Sequence, residues 1–388
     1  MINILIVVEG NDKGGVLSSL YDLSKLLIKC GVNLHFAVSV KGKSFNVLSS
    51  LGQTHLLSKK YLRYKPKLFF GIPLFSPFKI LINQKNKAIL SNEISQLVLK
   101  FEINKIITVG FTDIPVLKNI KKDVEVITVL HTVPRIDLTP FKIKTRIILN
   151  KLKNANRIVS VSKTIIERLQ INNSLKFDLI LNGSIDFSDF NSNKNLLKEK
   201  WRIPLNSKCI GSLGRFSKTK GFLELIYVFE KLAIENHDLF CVIGGAPSSK
   251  DELLYYNKVV ELAENSMFSD RIRIIGEVDN KDFYPLIDLF ILICIDSVES
   301  FGLVLIEAMS AKIPVIVSGF GGPTEIITNE KNGFLVYDNK SSNFIKYSKI
   351  LLSNNALYEE ISLEAYNTYK ERFSISIWEE EWKEKLKL

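Results

Sequence analysis

The sequence predicts two α/β domains, each built on a parallel β-sheet with helices on both faces. Short apolar runs alternate with amphipathic helical segments throughout, and runs that are apolar on both sides are typical of strands buried in such sheets. The length of 388 residues suits two separate hydrophobic cores. Hydrophobic residues form 46% of the chain and charged residues 24%, a composition that excludes a disordered protein.

The apolar runs give the positions of the predicted elements. In the first half the predicted strands are Ile2–Val8, Asn33–Ser39, Lys105–Val109, Val124–Leu130, Arg157–Val161 and Asp178–Leu181. In the second half they are Lys208–Leu213, Leu239–Ile243, Arg271–Ile275, Leu289–Cys294 and Pro314–Val317. Helices fill the intervals, and the first of them, Val16–Lys29, carries leucines at helical spacing on one face. The tail from Ser341 onward is predicted to be wholly helical.

A polar stretch without a long apolar run, 183–206, predicts the boundary between the two domains. We therefore expect an N-terminal domain at 1–183 and a linker at 184–206. A C-terminal domain is expected at 207–370, followed by a C-terminal helix at 371–388 that could pack back on the first domain.

The cysteines and the apolar runs bear on the compartment. The four cysteines are far apart, form no CxxC pair and lie in apolar surroundings, so buried reduced thiols in a cytosolic protein are expected. They are Cys30, Cys209, Cys241 and Cys294. The N-terminus has no basic n-region, and no run reaches the ~18 apolar residues of a membrane span. We expect a cytoplasmic protein, either soluble or peripheral on the inner membrane face.

Charge is unevenly distributed along the chain. Residues 1–200 carry 31 Lys and Arg against 14 Asp and Glu, a net of +17, whereas the remainder carries 21 against 27, a net of −6. A cationic first half favours an anionic partner, either a membrane surface, a phospholipid-like substrate or a nucleic acid. The alternative is codon bias toward lysine, although such a bias would not spare the second half.

The turn after the first strand of the second half reads GRFSKTKG, from Gly214 to Gly221. Arg215 and Lys220 lie five residues apart on this loop. Two cations there can neutralise a diphosphate, and the glycines allow a close approach of the backbone. A solvated basic loop is the alternative for this motif alone, and the Walker pattern GxxxxGK[ST] is absent.

A second turn, 296–309, follows the predicted strand Leu289–Cys294 and leads into a helix. Amides at a helix N-terminus bind anions. The predicted donors are those of Phe301, Gly302 and Leu303. Glu299 and Glu307 flank these amides, which matches a nucleotide sugar with hydroxyls at both ends and a diphosphate between them. The neighbours of Glu307 are apolar, so its carboxylate needs partners.

Together these motifs resemble the retaining glycosyltransferases of family 4, which have the GT-B fold. The stretch SVESFGLVLIEAMSAKIPVI, with its E-x7-E arrangement, is similar to the family signature. Further segments follow the family's order: Gly14-Gly15, LHT at 130–132, LNGSIDFSDF at 181–190, GRFSKTKG, SGFGGPTEII and NGFLV at Asn332–Val336. The resemblance spans most of the chain. It implies two Rossmann-like domains with parallel sheets facing across a cleft, the first binding the acceptor and the second the nucleotide sugar.

The resemblance also implies a role for each matched residue. Arg215 and Lys220 would hold the donor diphosphate, Glu307 would bind the ribose hydroxyls, and Glu299 would contact the donor sugar. Gly15 would approach the same phosphates, and His131 would lie near the reacting sugar. The phosphate cradle would be completed by the amides of Ser300, Phe301, Gly302 and Leu303. The implied catalytic set is therefore Glu299, His131, Arg215 and Lys220. For His131, a capped histidine at a strand end is the alternative.

The expected reaction is glycosyl transfer with retention of configuration, and its leaving diphosphate is stabilised by the two cations of the loop. No Asp-x-Asp pair occurs in the chain, so we expect no metal. We also expect no cofactor, because the nucleotide sugar is a substrate. UDP is favoured by family habit, and GDP and ADP remain open. Glu299 as a nucleophile and an internal-return route both remain open.

Other functions fit less of the sequence. A NAD-dependent oxidoreductase needs G-x-G-x-x-G after the first strand, a spacing that Gly10, Gly14 and Gly15 do not give. A non-catalytic protein that binds membranes or nucleic acid would explain the basic half but not the donor motifs. A sugar phosphorylase of the same fold remains open, and we expect no nucleic-acid partner.

The segment 59–78 reads KKYLRYKPKLFFGIPLFSPF and interleaves basic residues with aromatic ones. Cations beside aromatics suit a membrane–water interface, where anionic lipids attract Lys and Arg. We therefore expect an anionic membrane surface as a partner and a lipid-linked saccharide acceptor, as in bacterial surface-polysaccharide biosynthesis. The alternatives are a basic surface loop before a buried aromatic strand and a soluble acceptor.

Overall fold

The computed structural model describes residues 2–10, 14–59, 67–69, 72–74, 77–110, 114–117, 120, 123–134, 143–169 and 175–388. The chain divides into two compact units. One comprises Met1–Ile180 with Lys387–Leu388, and the other comprises Leu181–Leu386. Each unit contains one parallel sheet with a crossover order of strands.

The first unit is an α/β structure whose central sheet strands are largely buried. Its strands are β1 (Asn3–Val8), β2 (Asn33–Val38), β3 (Gln53–Leu56), β4 (Lys67–Phe69), β5 (Ile72–Leu74), β6 (Lys105–Val109), β7 (Glu125–Leu130), β8 (Arg157–Ser160) and β9 (Asp178–Leu179). Seven of them form a parallel sheet in the order β3-β2-β1-β6-β7-β8-β9, and β4 pairs with β5 antiparallel. Its helices are α1 (Gly15–Lys29), α2 (Lys43–Ser49), α3 (Pro77–Lys100), α4 (Ile143–Leu152) and α5 (Lys163–Leu169), with a 3-10 turn at Ile114–Leu117. Leu5 on β1, Ile106 on β6 and Ile94 on α3 share one buried cluster, which places α3 against the sheet.

The second unit repeats this design with more helices. It begins with a 3-10 turn at Ser188–Asn193 and helix α6 (Lys194–Lys200). Its strands are β10 (Lys208–Leu213), β11 (Leu239–Gly244), β12 (Ile272–Gly276), β13 (Leu289–Leu292), β14 (Val315–Ser318) and β15 (Phe334–Val336), in the parallel order β12-β11-β10-β13-β14-β15. The other helices are α7 (Phe222–Ala233), α8 (Lys250–Glu264), α9 (Asn280–Phe283), α10 (Leu303–Ser310), α11 (Pro323–Ile326), α12 (Ser341–Ser353), α13 (Asn355–Arg372) and α14 (Ile375–Leu386). Leu225 and Phe229 on α7 pack in one core with Ile210 of β10 and Cys241 of β11.

Every strand predicted from the apolar runs is present, with ends that move by one or two residues. Strand β3 was missed because its sequence, QTHL, is polar and its side chains are only partly covered. The stretch 184–206, predicted as a linker, carries the 3-10 turn and α6 and belongs to the second unit. The predicted helical tail consists of three helices, α12, α13 and α14, because the side chain of Asn354 caps α13 and Phe373 ends it.

The prediction of four buried thiols is wrong for Cys30. All four cysteines are free, and Cys209, Cys241 and Cys294 are buried, but Cys30 is half-buried because it is the residue that ends α1. In the described part of the chain, no helix combines the length and apolarity needed to cross a bilayer.

The first unit contains two stacked histidines at the edge of its sheet. The Nδ1 atom of His35 on β2 lies 3.2 Å from Nε2 of His55 on β3, and both rings pack against Phe101. His35 is fully buried, and its Nε2 has no partner among the described residues. Burial lowers the pKa of both imidazoles, helped by the charge of His55 at His35 and of Lys100 at His55.

This pair makes the unit sensitive to acid. Because both pKa values fall below the ordinary 6.5, the unfolded chain binds protons that the folded chain does not. The contribution of the two histidines to the free energy of unfolding is therefore complete above pH 6.5, and it is lost as the pH falls below that value. Urea unfolding at pH 7.5 and 5.5 should show this loss, and it should shrink in the His35→Leu/His55→Leu double variant.

The double variant is needed because another group changes the stability in the opposite direction as the pH falls. Burial raises the pKa of Asp22 to about 6, so that carboxyl stabilises the folded state as the pH falls through 6. The difference between wild type and double variant isolates the histidines. An identical pH dependence in the two proteins would contradict the prediction.

Candidate functional site

The strand order of the second sheet reverses between β10 and β13, and ligands of open α/β sheets bind at the carboxyl ends beside such a reversal. The loops after these two strands lie together. The amide of Ile295 donates to the carbonyl of Thr219 over 3.2 Å, and Lys218 pairs with Asp296 at 3.1 Å. Both turns that the sequence singled out therefore meet at one edge of the sheet.

A glycine makes this approach of the two loops possible. Gly221 has a φ of +60°, and a Cβ atom there would lie 2.3 Å from the carbonyl oxygen of Ile293. A side chain would separate the loop after β10 from the end of β13. The loop glycine thus serves first to bring two protein segments together.

The central feature of the edge is an ion pair between Lys220 and Glu299. The Nζ and Oε2 atoms are 2.5 Å apart, and the two side chains are only 17% and 21% exposed. Burial opposes both charges, but the pairing outweighs it, so the pKa of Lys220 is raised and that of Glu299 is lowered. The site therefore holds a fixed ammonium and a fixed carboxylate at neutral pH.

Arg215 is the second cation, and it has a separate carboxylate partner. Its Nη1 donates to Oε1 of Glu252 over 3.0 Å, and the guanidinium is half exposed. The amide of Ser248 donates to the other oxygen of Glu252 over 2.7 Å. Arg215 is also close enough for its charge to act on the pKa of Lys220. The predicted pair of cations is thus present at one edge, with Glu252 holding the outer one.

Helix α10 begins at this edge. Gly302 precedes it with a φ of +104° and, as a glycine, offers no side chain of its own to cap the helix. The amide of Ser300 donates to the carboxylate of Glu299, so the predicted phosphate-binding role of Ser300 competes with a contact inside the site. The first amides of α10 form the positive end of the helix dipole and suit an anion.

Glu307 lies within α10 and is only 5% exposed. Its Oε2 accepts a hydrogen bond of 2.7 Å from the hydroxyl of Tyr284. Burial and this carboxylate together raise the pKa of Tyr284 well above 10.0, so the phenol stays a donor. The sequence required a partner for Glu307 but could not identify Tyr284, which lies 23 residues upstream on another element.

Two of the predicted site residues belong to the first unit. Gly15 is the first residue of α1, after β1, and His131 directly follows β7, so both lie at the carboxyl edge of the first sheet. Burial lowers the pKa of His131 to about 4, which makes its imidazole neutral at pH 7. The other eight lie in the second unit: Arg215, Lys220, Glu299, Ser300, Phe301, Gly302, Leu303 and Glu307.

The described residues contain no group of three or more His, Cys, Asp or Glu side chains arranged to hold a metal ion. The side chains that sequence reasoning missed are Glu252 and Tyr284. Both are held to predicted residues by contacts between segments that are distant in sequence.

Comparisons with known proteins agree with this geometry. Residues 193–368, just under half of the chain, match the family model described as Glycosyl transferases group 1. N-acetyl-α-D-glucosaminyl L-malate synthase of Bacillus anthracis is 25% identical over 185 residues, which are 47% of this chain and 46% of that protein. The capsular polysaccharide biosynthesis glycosyltransferase CapM of Staphylococcus aureus is 27% identical over 238 residues, 58% of this chain and 60% of CapM. The chain thus spans about half the length of the curated relatives it matches.

Solved structures match over the whole chain. HepE of Anabaena, crystallised with UDP and glucose, superimposes with a TM-score of 0.79 and 18% identity, covering 100% of both chains. A glycosyltransferase of Rickettsia africae gives a TM-score of 0.77 and 23% identity over 100% of this chain and 99% of that one. The predicted fold, two Rossmann-like domains with parallel sheets as in GT-B proteins, is confirmed.

Proposed function

We propose that this protein is a retaining, metal-independent glycosyltransferase of family 4 that moves a sugar from a nucleoside-diphosphate sugar to an acceptor hydroxyl. The observation that carries the proposal is the partly buried Lys220–Glu299 pair, beside Arg215 and the start of α10, at the switch point of the sheet. The match of residues 193–368 to the group 1 family model supports the same activity.

The chemistry follows from the charges at this edge. In the reaction, the bond between the sugar C1 and the β-phosphate oxygen breaks, C1 bonds to the acceptor oxygen, and the proton of the acceptor hydroxyl passes to the leaving diphosphate. Lys220, Arg215 and the α10 amides can stabilise the charge that grows on the leaving diphosphate. Because these groups supply positive charge from the protein, the proposed mechanism needs no metal.

The remaining contacts are assigned by the same logic. Glu307, held by Tyr284, binds the ribose hydroxyls, and Glu299 orients the donor sugar. An internal-return route suits Glu299 better than a covalent one, since its carboxylate is committed to Lys220. UDP is the proposed nucleotide, as in the complexes of HepE. In the first unit, Gly15 is assigned to the donor phosphates and His131 to the reacting sugar.

The acceptor is proposed to be a lipid-linked saccharide of a bacterial surface polysaccharide, bound at the inner membrane face. The net charge of +17 on residues 1–200 and the likeness to CapM support this. Most of the basic–aromatic segment 59–78 lies outside the described residues. Each cation near an anionic membrane contributes ~1 kcal/mol of binding, which salt weakens.

A ligand screen tests the catalytic proposal. UDP at about 100 times its Kd should stabilise the protein by about 2.7 kcal/mol. NAD should leave the melting temperature unchanged. UDP-sugars should be hydrolysed slowly without acceptor, in EDTA as in its absence. Stabilisation by NAD alone, or activity lost to EDTA and restored by manganese, would contradict the proposal.

A second arm of the screen separates the acceptor classes. The protein should co-sediment with anionic vesicles at low salt. Binding should drop when Lys59, Lys60, Arg63, Lys65 and Lys67 are neutralised together. A protein that ignores such vesicles and glycosylates a soluble acceptor would overturn the membrane proposal alone.

A further inference from the structure

Two side chains outside the site hold both backbone groups of Cys294. The amide of Cys294 donates to Oγ of Ser318 over 2.8 Å, and its carbonyl accepts from Nδ2 of Asn339 over 2.8 Å. Ser318 in turn donates to Oδ1 of Asn339 over 2.6 Å. The three residues form a closed ring of hydrogen bonds, here called the Cys294 clamp.

The clamp lies where the chain leaves the sheet. Strand β13 pairs with β14 as far as Leu292 and Val317, and after Cys294 the amide of Ile295 donates instead to the carbonyl of Thr219, on the loop that follows β10. Cys294 is 2% exposed, so its amide and carbonyl would be buried without partners if the clamp were absent. The clamp therefore fixes the point from which the loop to Glu299 departs.

The far end of the same loop is also anchored. The carbonyl of Glu299 accepts a hydrogen bond of 2.9 Å from the amide of Gly322. Between the two anchors the loop turns at Asp296, which has a φ of +52°. With both ends fixed, the carboxylate of Glu299 meets Lys220 in one arrangement. A loop released at Cys294 could keep its far anchor and still move the carboxylate.

We propose that Ser318 and Asn339 are positioning residues of the donor site, which act through Cys294 to hold Glu299 against Lys220. The inference rests on the proposed glycosyltransferase function and extends it to residues that are assigned no contact with the nucleotide or the sugar. The geometry requires both side chains, since Asn339 accepts from Ser318 with one atom and donates to Cys294 with the other.

The test uses a double-mutant cycle on the full chain. Asn339→Gly is the variant of choice, because Asn339 has a φ of +55° that glycine adopts without strain. Loss of a buried hydrogen bond and the resulting displacement of Glu299 should lower kcat/KM about tenfold for the sugar donor that the screen identifies. Ser318→Ala should act in the same direction. Glu299→Ala removes the carboxylate that is being positioned. In that background, Asn339→Gly should lower kcat/KM by less than about threefold further.

A merely structural role gives another pattern. The losses from Asn339→Gly and Glu299→Ala would then multiply, and this outcome would overturn the proposal. The matched control is Asn343→Ala. The side-chain amide of Asn343 donates to Asp338 and not to the clamp, so its loss should leave kcat/KM unchanged. Clamp variants that match this control would also overturn it.

Binding of the nucleotide separates this proposal from the proposed function. If wild-type protein binds none of UDP, GDP and ADP in calorimetry, both fail. If wild type binds UDP and Lys220→Ala weakens binding, but the cycle is multiplicative, the clamp proposal alone fails.

Discussion

Replacing Lys220 by alanine is expected to lower kcat/KM for the sugar donor by about 10²–10³-fold, a loss of about 2.7–4 kcal/mol in stabilising the leaving diphosphate. Lys220 is the more buried of the two cations, and a charge in a partly desolvated place interacts more strongly than one in water. Steady-state kinetics with the donor that the screen identifies would measure the loss.

The neighbouring lysine supplies the control. Lys218 lies on the same loop and pairs with Asp296, but both side chains are more than 70% exposed, so Lys218→Ala should stay near wild type. The Lys220→Ala variant leaves Glu299 without its cation, and a lower melting temperature is expected. The Lys220→Ala/Glu299→Ala double variant removes that imbalance. A folded double variant with wild-type activity would show that Lys220 does not stabilise the leaving diphosphate.

The loops of the site could be predicted from the sequence because of strand order. Parallel strands carry the turns 214–221 and 295–302 to one edge, whatever the details of packing. Which cation would meet Glu299 could not be predicted. Lys220 and Glu299 are 79 residues apart, and either cation of the loop satisfied the motif.

The missed residues share a physical cause. Tyr284 and Glu252 each contact a predicted residue through a hydrogen bond between different elements. Such contacts depend on how α8 and the 3-10 turn Tyr284–Leu286 pack, which no local periodicity encodes. The missed strand β3 has the same origin, since its pairing with β2 comes from backbone hydrogen bonds and not from an apolar pattern.

The two carboxylates of the E-x7-E pair should fail in different ways when removed. Glu307→Ala is expected to weaken UDP binding by about 10–100-fold, since a hydrogen bond to a charged group contributes about 1.5–3 kcal/mol. Because the ribose contacts exist in the ground state and the transition state alike, kcat should change little. Calorimetry with UDP and steady-state kinetics would measure the two quantities.

Glu299→Ala should show the reverse division. The carboxylate of Glu299 lies beside Lys220 and is assigned to the donor sugar, which UDP lacks. The Kd of UDP should therefore stay unchanged while kcat falls.

Tyr284→Phe gives a graded comparison, because it removes only the hydroxyl that anchors the Glu307 carboxylate and keeps the ring. Its effect on UDP binding should follow that of Glu307→Ala in kind and be smaller in size, since the carboxylate remains. The opposite result would be that Glu307→Ala lowers kcat with normal UDP binding while Glu299→Ala weakens UDP binding. In that case Glu299, beside Lys220, contacts the nucleotide, and Glu307, held by Tyr284, contacts the reacting sugar.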